Sequence, residues 1–131
     1  SDVFLLTNCD TLIDLDYKNL IDFHNQNKNF ITIVSALYKK KINYGVCKTN
    51  KNNDLKTIEE KPDLNFLINT GFYVMNKKIL KKIPKDKYFD TTDLIKKCIK
   101  NKIKIGMYPI DMSKWTDVGN WEDYKKAKDF L

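Results

Sequence analysis

Apolar positions along the chain fall into short blocks whose spacing alternates between that of strands and that of helices. Val3 to Leu6 is an apolar run without alternation, the pattern of a strand buried on both faces. It breaks off at Thr7-Asn8-Cys9-Asp10. Leu20, Ile21, Phe23 and His24 then recur at helical spacing, and Asp16 is placed to cap a helix from Tyr17 to about Lys28. "NFITIVSALY", Asn29 to Tyr38, reads as a second buried strand. The first 38 residues therefore predict a β-α-β unit.

The middle of the chain changes character. "YGVCKT" and "LKTIEEKP" flank the polar "NKNND", a hairpin pattern. "FLINTGFYVMN" is a further strand with Gly71 inside it, and glycine in a strand interior marks a bulge or a close backbone approach. Asn76 is placed to cap a short helix through Ile83, ended by Pro84. Asp90 or Thr91 starts a helix to about Asn101 with Leu94, Ile95, Cys98 and Ile99 on one face. "KIKIGMYPI" reads as a strand, "WTDVGN" as a loop, and "WEDYKKAKDFL" as a closing helix with Trp121, Tyr124, Ala127 and Leu131 on its apolar side. The order of elements predicts an α/β fold around a mixed sheet.

Composition narrows this picture. With 131 residues, 42% apolar and 12% aromatic, the chain has the length and content of one globular core. No apolar run approaches the ~20 residues of a membrane span, and no signal peptide opens the chain. The sequence begins without Met and almost inside a strand, as expected of a fragment or a cleaved product. The net charge of +7 raises the question of nucleic acid. All 24 basic residues are lysines, however, many of them spread over helical positions such as Lys77, Lys81, Lys96 and Lys100. Base readout leans on arginine, so no nucleic-acid partner is expected. Cys9, Cys47 and Cys98 are odd in number and show no CxxC spacing, which points to reduced thiols in a cytoplasm. The single His24 has no second histidine for a zinc site or a catalytic triad and reads as structural.

Asp10 poses a sharper question. Aspartate is a poor strand residue and is rarely buried unless paired or bound to a metal. At the tip of a buried-looking strand it is either a solvated turn residue or part of a site. Three clusters occupy strand ends or loops, where open α/β sheets hold their ligands: Asn8-Cys9-Asp10, Glu59-Glu60-Lys61-Pro62 and Trp115-Thr116-Asp117-Val118-Gly119. Two acids brought together from distant segments would suit Mg²⁺, which is held by one or two carboxylates plus phosphates and waters. Taken singly, each cluster reads equally as a turn, a solvated loop or a helix start.

The blocks "LLTNCDTLIDLDYKNLIDFH", "YGV", "IEEKP", "INTGFYV", "DLIKK", "YPI" and "WTDVGNWEDYKKA" come in an order that resembles the sugar-phosphate nucleotidylyltransferases, the nucleoside-diphosphate-sugar pyrophosphorylases. The resemblance covers essentially all 131 residues. "TNCD", "FDTTDLIKK" and "YPI" look most like the mannose-1-phosphate guanylyltransferase branch. It implies a Rossmann-like nucleotidylyltransferase (GT-A-like) mixed sheet. It also implies in-line attack of a sugar 1-phosphate on the α-phosphorus of a nucleoside triphosphate, GTP in that branch, with loss of pyrophosphate. Carried over by residue, Asp10 and Asp117 look like catalytic Mg²⁺ ligands. Glu60 looks like the acceptor for sugar hydroxyls and Lys61 like the catalytic cation that meets the sugar phosphate. Gly45 and Gly71 look like places of close backbone approach to the sugar, with Asn69 and Thr70 beside them.

The departure from that family is large and includes the lysine after the opening motif and the base-binding segment. The glycine-rich opening motif of the type GxGTRLxPLT is absent, the four glycines are Gly45, Gly71, Gly106 and Gly119, and there is no arginine. A backbone cradle for the triphosphate is not encoded in these residues. The expectation is therefore the C-terminal part of a single nucleotidylyltransferase domain over residues 1–131, inactive by itself, with an open sheet edge at Val3–Thr7 that invites a homo-oligomer. Two other readings accompany it: a metal-dependent nucleotide-sugar glycosyltransferase with "CDT" as a degenerate DxD, and a non-catalytic sugar-phosphate-binding or regulatory module.

Overall fold

The computed structural model describes residues 2–119 together with Lys125; the expected closing helix lies outside them. In chain order come strand β1 (Val3–Thr7), strand β2 (Thr11–Ile13), helix α1 (Tyr17–Gln26) and strand β3 (Ile31–Lys41). Strands β4 (Val46–Thr49), β5 (Leu55–Glu59) and β6 (Asp63–Asn76) follow, then a 3₁₀ turn over Lys77–Lys82. Helix α2 (Thr91–Lys100), strand β7 (Ile105–Asp111) and strand β8 (Trp115–Asp117) complete the described chain.

The principal sheet has the order β1-β6-β3-β7. β6 runs antiparallel to both β1 and β3, and β7 runs parallel to β3, so the sheet is mixed as expected. β1 and β3 are parallel to each other with β6 inserted between them. The β-α-β reading therefore holds in direction, but its two strands are not neighbours.

Alternation along β3 and β6 explains the layers. Ile31, Ile33, Tyr73 and Met75 face one side and pack with Ile79, Leu94 and Cys98 from the 3₁₀ turn and α2. Val34, Ala36, Phe72 and Val74 face the other side and pack with Leu20 of α1 and Ile110 of β7. A sheet covered on both faces needs apolar residues in both registers, which is why these stretches read as continuous apolar runs. Asp16 caps α1 by accepting from the Asn19 N–H at 3.0 Å, and Asp90 caps α2 by accepting from Asp93 N–H at 2.9 Å. His24 is buried, its Nδ1 2.8 Å from Thr32 Oγ1, in the structural role expected of it.

Three expectations are corrected. β1 is not buried on both faces; it is the end strand of the described sheet, and Leu5 and Leu6 are 43% and 38% exposed. Its apolar run carries the pattern of an interior strand into an edge position. Ile99 does not share the buried face of α2 but is 64% exposed, because the helix seats Leu94 and Cys98 deepest. The short helix expected after Asn76 is present as a 3₁₀ helix over Lys77–Lys82, with Asn76 Oδ1 accepting from Lys78 N–H at 2.9 Å. "WTDVGN" is not all loop: Trp115–Asp117 pairs antiparallel with Thr11–Ile13.

Candidate functional site

The pairing of β2 with β8 decides where the acids go. Thr11 lies opposite Asp117, Val118 N–H donates to Asp10 O at 2.8 Å, and Asp14 N–H donates to Lys114 O at 2.9 Å. Two segments more than a hundred residues apart are thereby held side by side. A Cβ added to Gly119 would stand 2.9 Å from Asp10 Oδ2 and 3.0 Å from Asp117 Oδ1, so both carboxylates converge on one glycine. Gly119 N–H itself donates to Asp117 Oδ1 at 2.9 Å and fixes that carboxylate. Asp10 is half-buried and Asp117 exposed, which leaves oxygens of both open to a ligand.

Gly71 builds the adjoining wall. The β3–β6 register runs from Val34↔Phe72 to Ser35↔Asn69, so Thr70 and Gly71 form a bulge, as the glycine predicted. Gly71 has φ +77°, a conformation in which side chains are costly. The bulge is tied on three sides. Asn69 Oδ1 accepts from Gly71 N–H at 3.1 Å while Asn69 Nδ2 donates to Tyr73 OH at 2.9 Å. Thr70 Oγ1 donates to Val34 O at 2.8 Å. Asn8 N–H donates to Gly71 O at 3.0 Å and Thr11 Oγ1 to Thr70 O at 3.1 Å, which locks the bulge to the loop bearing Asp10.

Beside the bulge lies a cleft of about 310 Å³ lined by Asn8, Asn69, Gly71, Tyr73, Asp90, Thr91 and Thr92. Asp90 is held below the usual carboxylate range by the Thr92 hydroxyl and then by the Asp93 N–H, so it presents a firm negative charge at the rim. Thr91 and Thr92 supply hydroxyls. Asn8 and the Asp90–Thr92 segment were not among the expected site residues. The sequence places Asn8 in the Asn8-Cys9-Asp10 cluster without a role of its own, whereas Asp90–Thr92 reads only as a helix start.

Gly45, Glu60 and Lys61 form a second group at the end of the β4–β5 hairpin. A Cβ on Gly45 would lie 3.0 Å from Glu60 Oε2, so the absent side chain is what admits that carboxylate. Lys61 sits at φ +46° directly before Pro62, a position that disfavours such a conformation twice over. Buried Pro62 anchors the turn, its carbonyl accepting from Ile42 N–H at 3.1 Å. Among the described residues no hydrogen bond joins Glu60 or Lys61 to the Asp10–Asp117 group. The structure thus unites Asp10 with Asp117, ties Asn69, Thr70 and Gly71 to them, and sets Gly45 with Glu60 in a separate cluster.

Comparison with known proteins gives one consistent result. The family model described as nucleotidyl transferase matches residues 1–131. A UTP–glucose-1-phosphate uridylyltransferase of Synechocystis sp. is 30% identical over 134 residues, covering 96% of this chain and 34% of that protein. The mannose-1-phosphate guanylyltransferase catalytic subunit beta of Drosophila melanogaster is 28% identical, covering 100% and 34%. Among solved structures, HddC from Yersinia pseudotuberculosis superposes with a TM-score of 0.67 at 25% identity, covering 100% of this chain and 56% of that one. The chain therefore spans about a third of the length of these curated relatives and just over half of that solved chain.

Proposed function

The chain belongs to the nucleotidyl transferase family, and from that premise we propose that it carries the sugar-phosphate and metal side of a sugar-1-phosphate nucleotidylyltransferase, GTP being the nucleotide suggested by its sequence. The observation that supports this most is the convergence of Asp10 and Asp117 on Gly119. Among the described residues no cluster of three or more His, Cys, Asp or Glu side chains is poised for a metal. Two carboxylates with open surroundings fit Mg²⁺, which completes its shell from phosphates and waters. When bound, Mg²⁺ would draw phosphate oxygens together and offset their charge.

The protein's own residues supply position and charge. Asp10 and Asp117 hold the acidic end of the site in a fixed relation to the Gly71 bulge, because Asn8 and Thr11 bond to that bulge directly. The 310 Å³ cleft with its amide and hydroxyl lining is suited to a sugar, oriented by hydrogen bonds rather than by apolar contact. Glu60 accepts from sugar hydroxyls and Lys61 meets the phosphate. The missing side chain of Gly45 admits the Glu60 carboxylate, and that of Gly71 admits the Asn8 amide. Phosphoryl-type transfer asks mainly for such positioning, which lets a sugar phosphate oxygen approach the α-phosphorus in line while pyrophosphate leaves. The three free thiols fit a reducing cytoplasm. Among the described residues no helix is long and apolar enough to cross a membrane.

Calorimetric titration with a panel of hexose 1-phosphates in the presence of Mg²⁺ tests the reading. Binding of at least one, weakened tenfold or more by Asp117→Ala, is expected. Equal affinity in the variant refutes the site. The chain by itself is expected to release no pyrophosphate from GTP and a hexose 1-phosphate.

A further inference from the structure

β3 runs past its neighbour β7. Their parallel pairing ends at Leu37↔Asp111, and beyond it Tyr38–Lys41 pairs with β6 alone. Three consecutive lysines, Lys39, Lys40 and Lys41, occupy this projecting end, although lysine is a poor strand residue. Lys39 lies opposite Asn65 and Lys41 opposite Asp63, on one face of the ribbon. With Lys40 these residues line a pocket of about 380 Å³, within the size range of small-ligand sites.

Charge in that pocket is unbalanced. Three ammonium groups share it with one carboxylate, Asp63. Among the described residues Lys18–Asp22 is the one ion pair, so none of the three lysines is neutralised by direct contact. Lys39 also lies near Asp111, but that carboxylate is already engaged by the Ser113 N–H at 2.9 Å and the Ser113 hydroxyl at 2.7 Å. Asn65 adds a neutral amide, and alternate N–H groups of the projecting strand point away from β6 with no strand opposite them. A single lysine would guard such an edge against pairing. Three around one pocket, beside amide donors, exceed that need.

We propose that the Lys39–Lys41 end of β3 is a binding site for a compact polyphosphate anion, either free pyrophosphate or the phosphate tail of a nucleotide. Linked phosphates can meet several ammonium groups at once and relieve the repulsion among them, which a single phosphate does less well. The site is separate from the cleft beside Gly71. Four residues along each strand, Ser35 to Lys39 and Asn69 to Asn65, set it about 13 Å away. Neither the Asp10–Asp117 pair nor that cleft contributes a residue to it.

Calorimetric titration of the full chain in metal-free buffer tests this, with pyrophosphate, inorganic phosphate and GTP as separate probes. Without metal, the Asp10–Asp117 pair repels each of them. Pyrophosphate is expected to bind about tenfold more tightly than phosphate or better, and Lys39→Gln combined with Lys41→Gln should weaken it about tenfold or more. Both side chains are exposed, and an unchanged urea transition shows that the variant still folds. Lys81→Gln combined with Lys100→Gln removes the same charge from exposed positions elsewhere and should leave the affinity within about twofold. GTP binding as tight as that of pyrophosphate assigns the site to a nucleotide tail, and binding of pyrophosphate alone assigns it to the free anion. Equal loss in the two double variants overturns the site, because the ligand then senses only the net charge of +7. So does undiminished binding after the Lys39 and Lys41 changes, or no binding of pyrophosphate at all.

Discussion

Replacing Gly71 by alanine strikes the bulge on which both halves of the site depend. Two penalties are separable. At φ +77° any side chain pays for left-handed backbone, about 1–2 kcal/mol. The new Cβ would also stand 2.5 Å from Asn8 Nδ2 and 2.7 Å from Asn8 Cγ, contacts that cannot persist. Asn8 can rotate its amide away, but its N–H is bonded to Gly71 O, which limits how far its own backbone retreats. Overpacking of this kind adds about 1–3 kcal/mol. The expected cost of Gly71→Ala is therefore about 2–5 kcal/mol.

The same substitution made in an Asn8→Ala background meets only the Asn8 Cβ, at 3.3 Å, and should cost the backbone part alone. Urea denaturation of the four proteins should yield a coupling of about 1–3 kcal/mol, the overpacking part. Equal costs in the two backgrounds would show that the bulge does not press against Asn8. The tie between the Gly71 bulge and the loop bearing Asp10 would then lose its basis.

Three further outcomes follow from the same structure. Gly119→Ala should leave stability within about 1 kcal/mol of wild type, because the atoms it meets are swinging carboxylates, yet weaken Mg²⁺ binding by calorimetry tenfold or more; undiminished binding would mean that the carboxylates do not share an ion. His24 is pushed below its ordinary value of 6.5 by burial, so the folded state resists a proton that the unfolded chain accepts. Stability should fall as pH drops through about 6.5, and His24→Gln should flatten that limb of the urea-midpoint profile. Cys9 and Cys47 are exposed, while Cys98 is buried with its thiol pushed up. A thiol reagent should therefore titrate two cysteines in the native protein and the third only on unfolding.

What could be read in the sequence was what periodicity and caps encode. The doubly apolar stretches of β3 and β6, the Asp16 and Asp90 caps and the bulge at Gly71 all follow from local rules, and all are present. The end position of β1 matches the expected open edge at Val3–Thr7; its exposure was missed because an apolar run states how a strand is covered in its finished setting, not which neighbours it has here. The β2–β8 pairing escaped for another reason. Each strand is three residues long, too short for alternation to register, and its partner lies at the other end of the chain. Asp10 and Asp117 were singled out by residue type and by resemblance; only the pairing shows how they meet. Thr91 and Thr92 gave no signal because the cleft they line is shared with Asn69 and Gly71 of β6, which only the fold brings alongside.

The short ladder that unites the acids has a kinetic meaning. Three paired residues join β2 to β8, against eleven between β3 and β6. Closing so long a loop for so few bonds places this union late in folding and early in opening. Asp10 and Asp117 are thus brought together by the weaker of the two ladders. A nascent chain still short of Trp115 has its β3–β6 platform and lacks the grip.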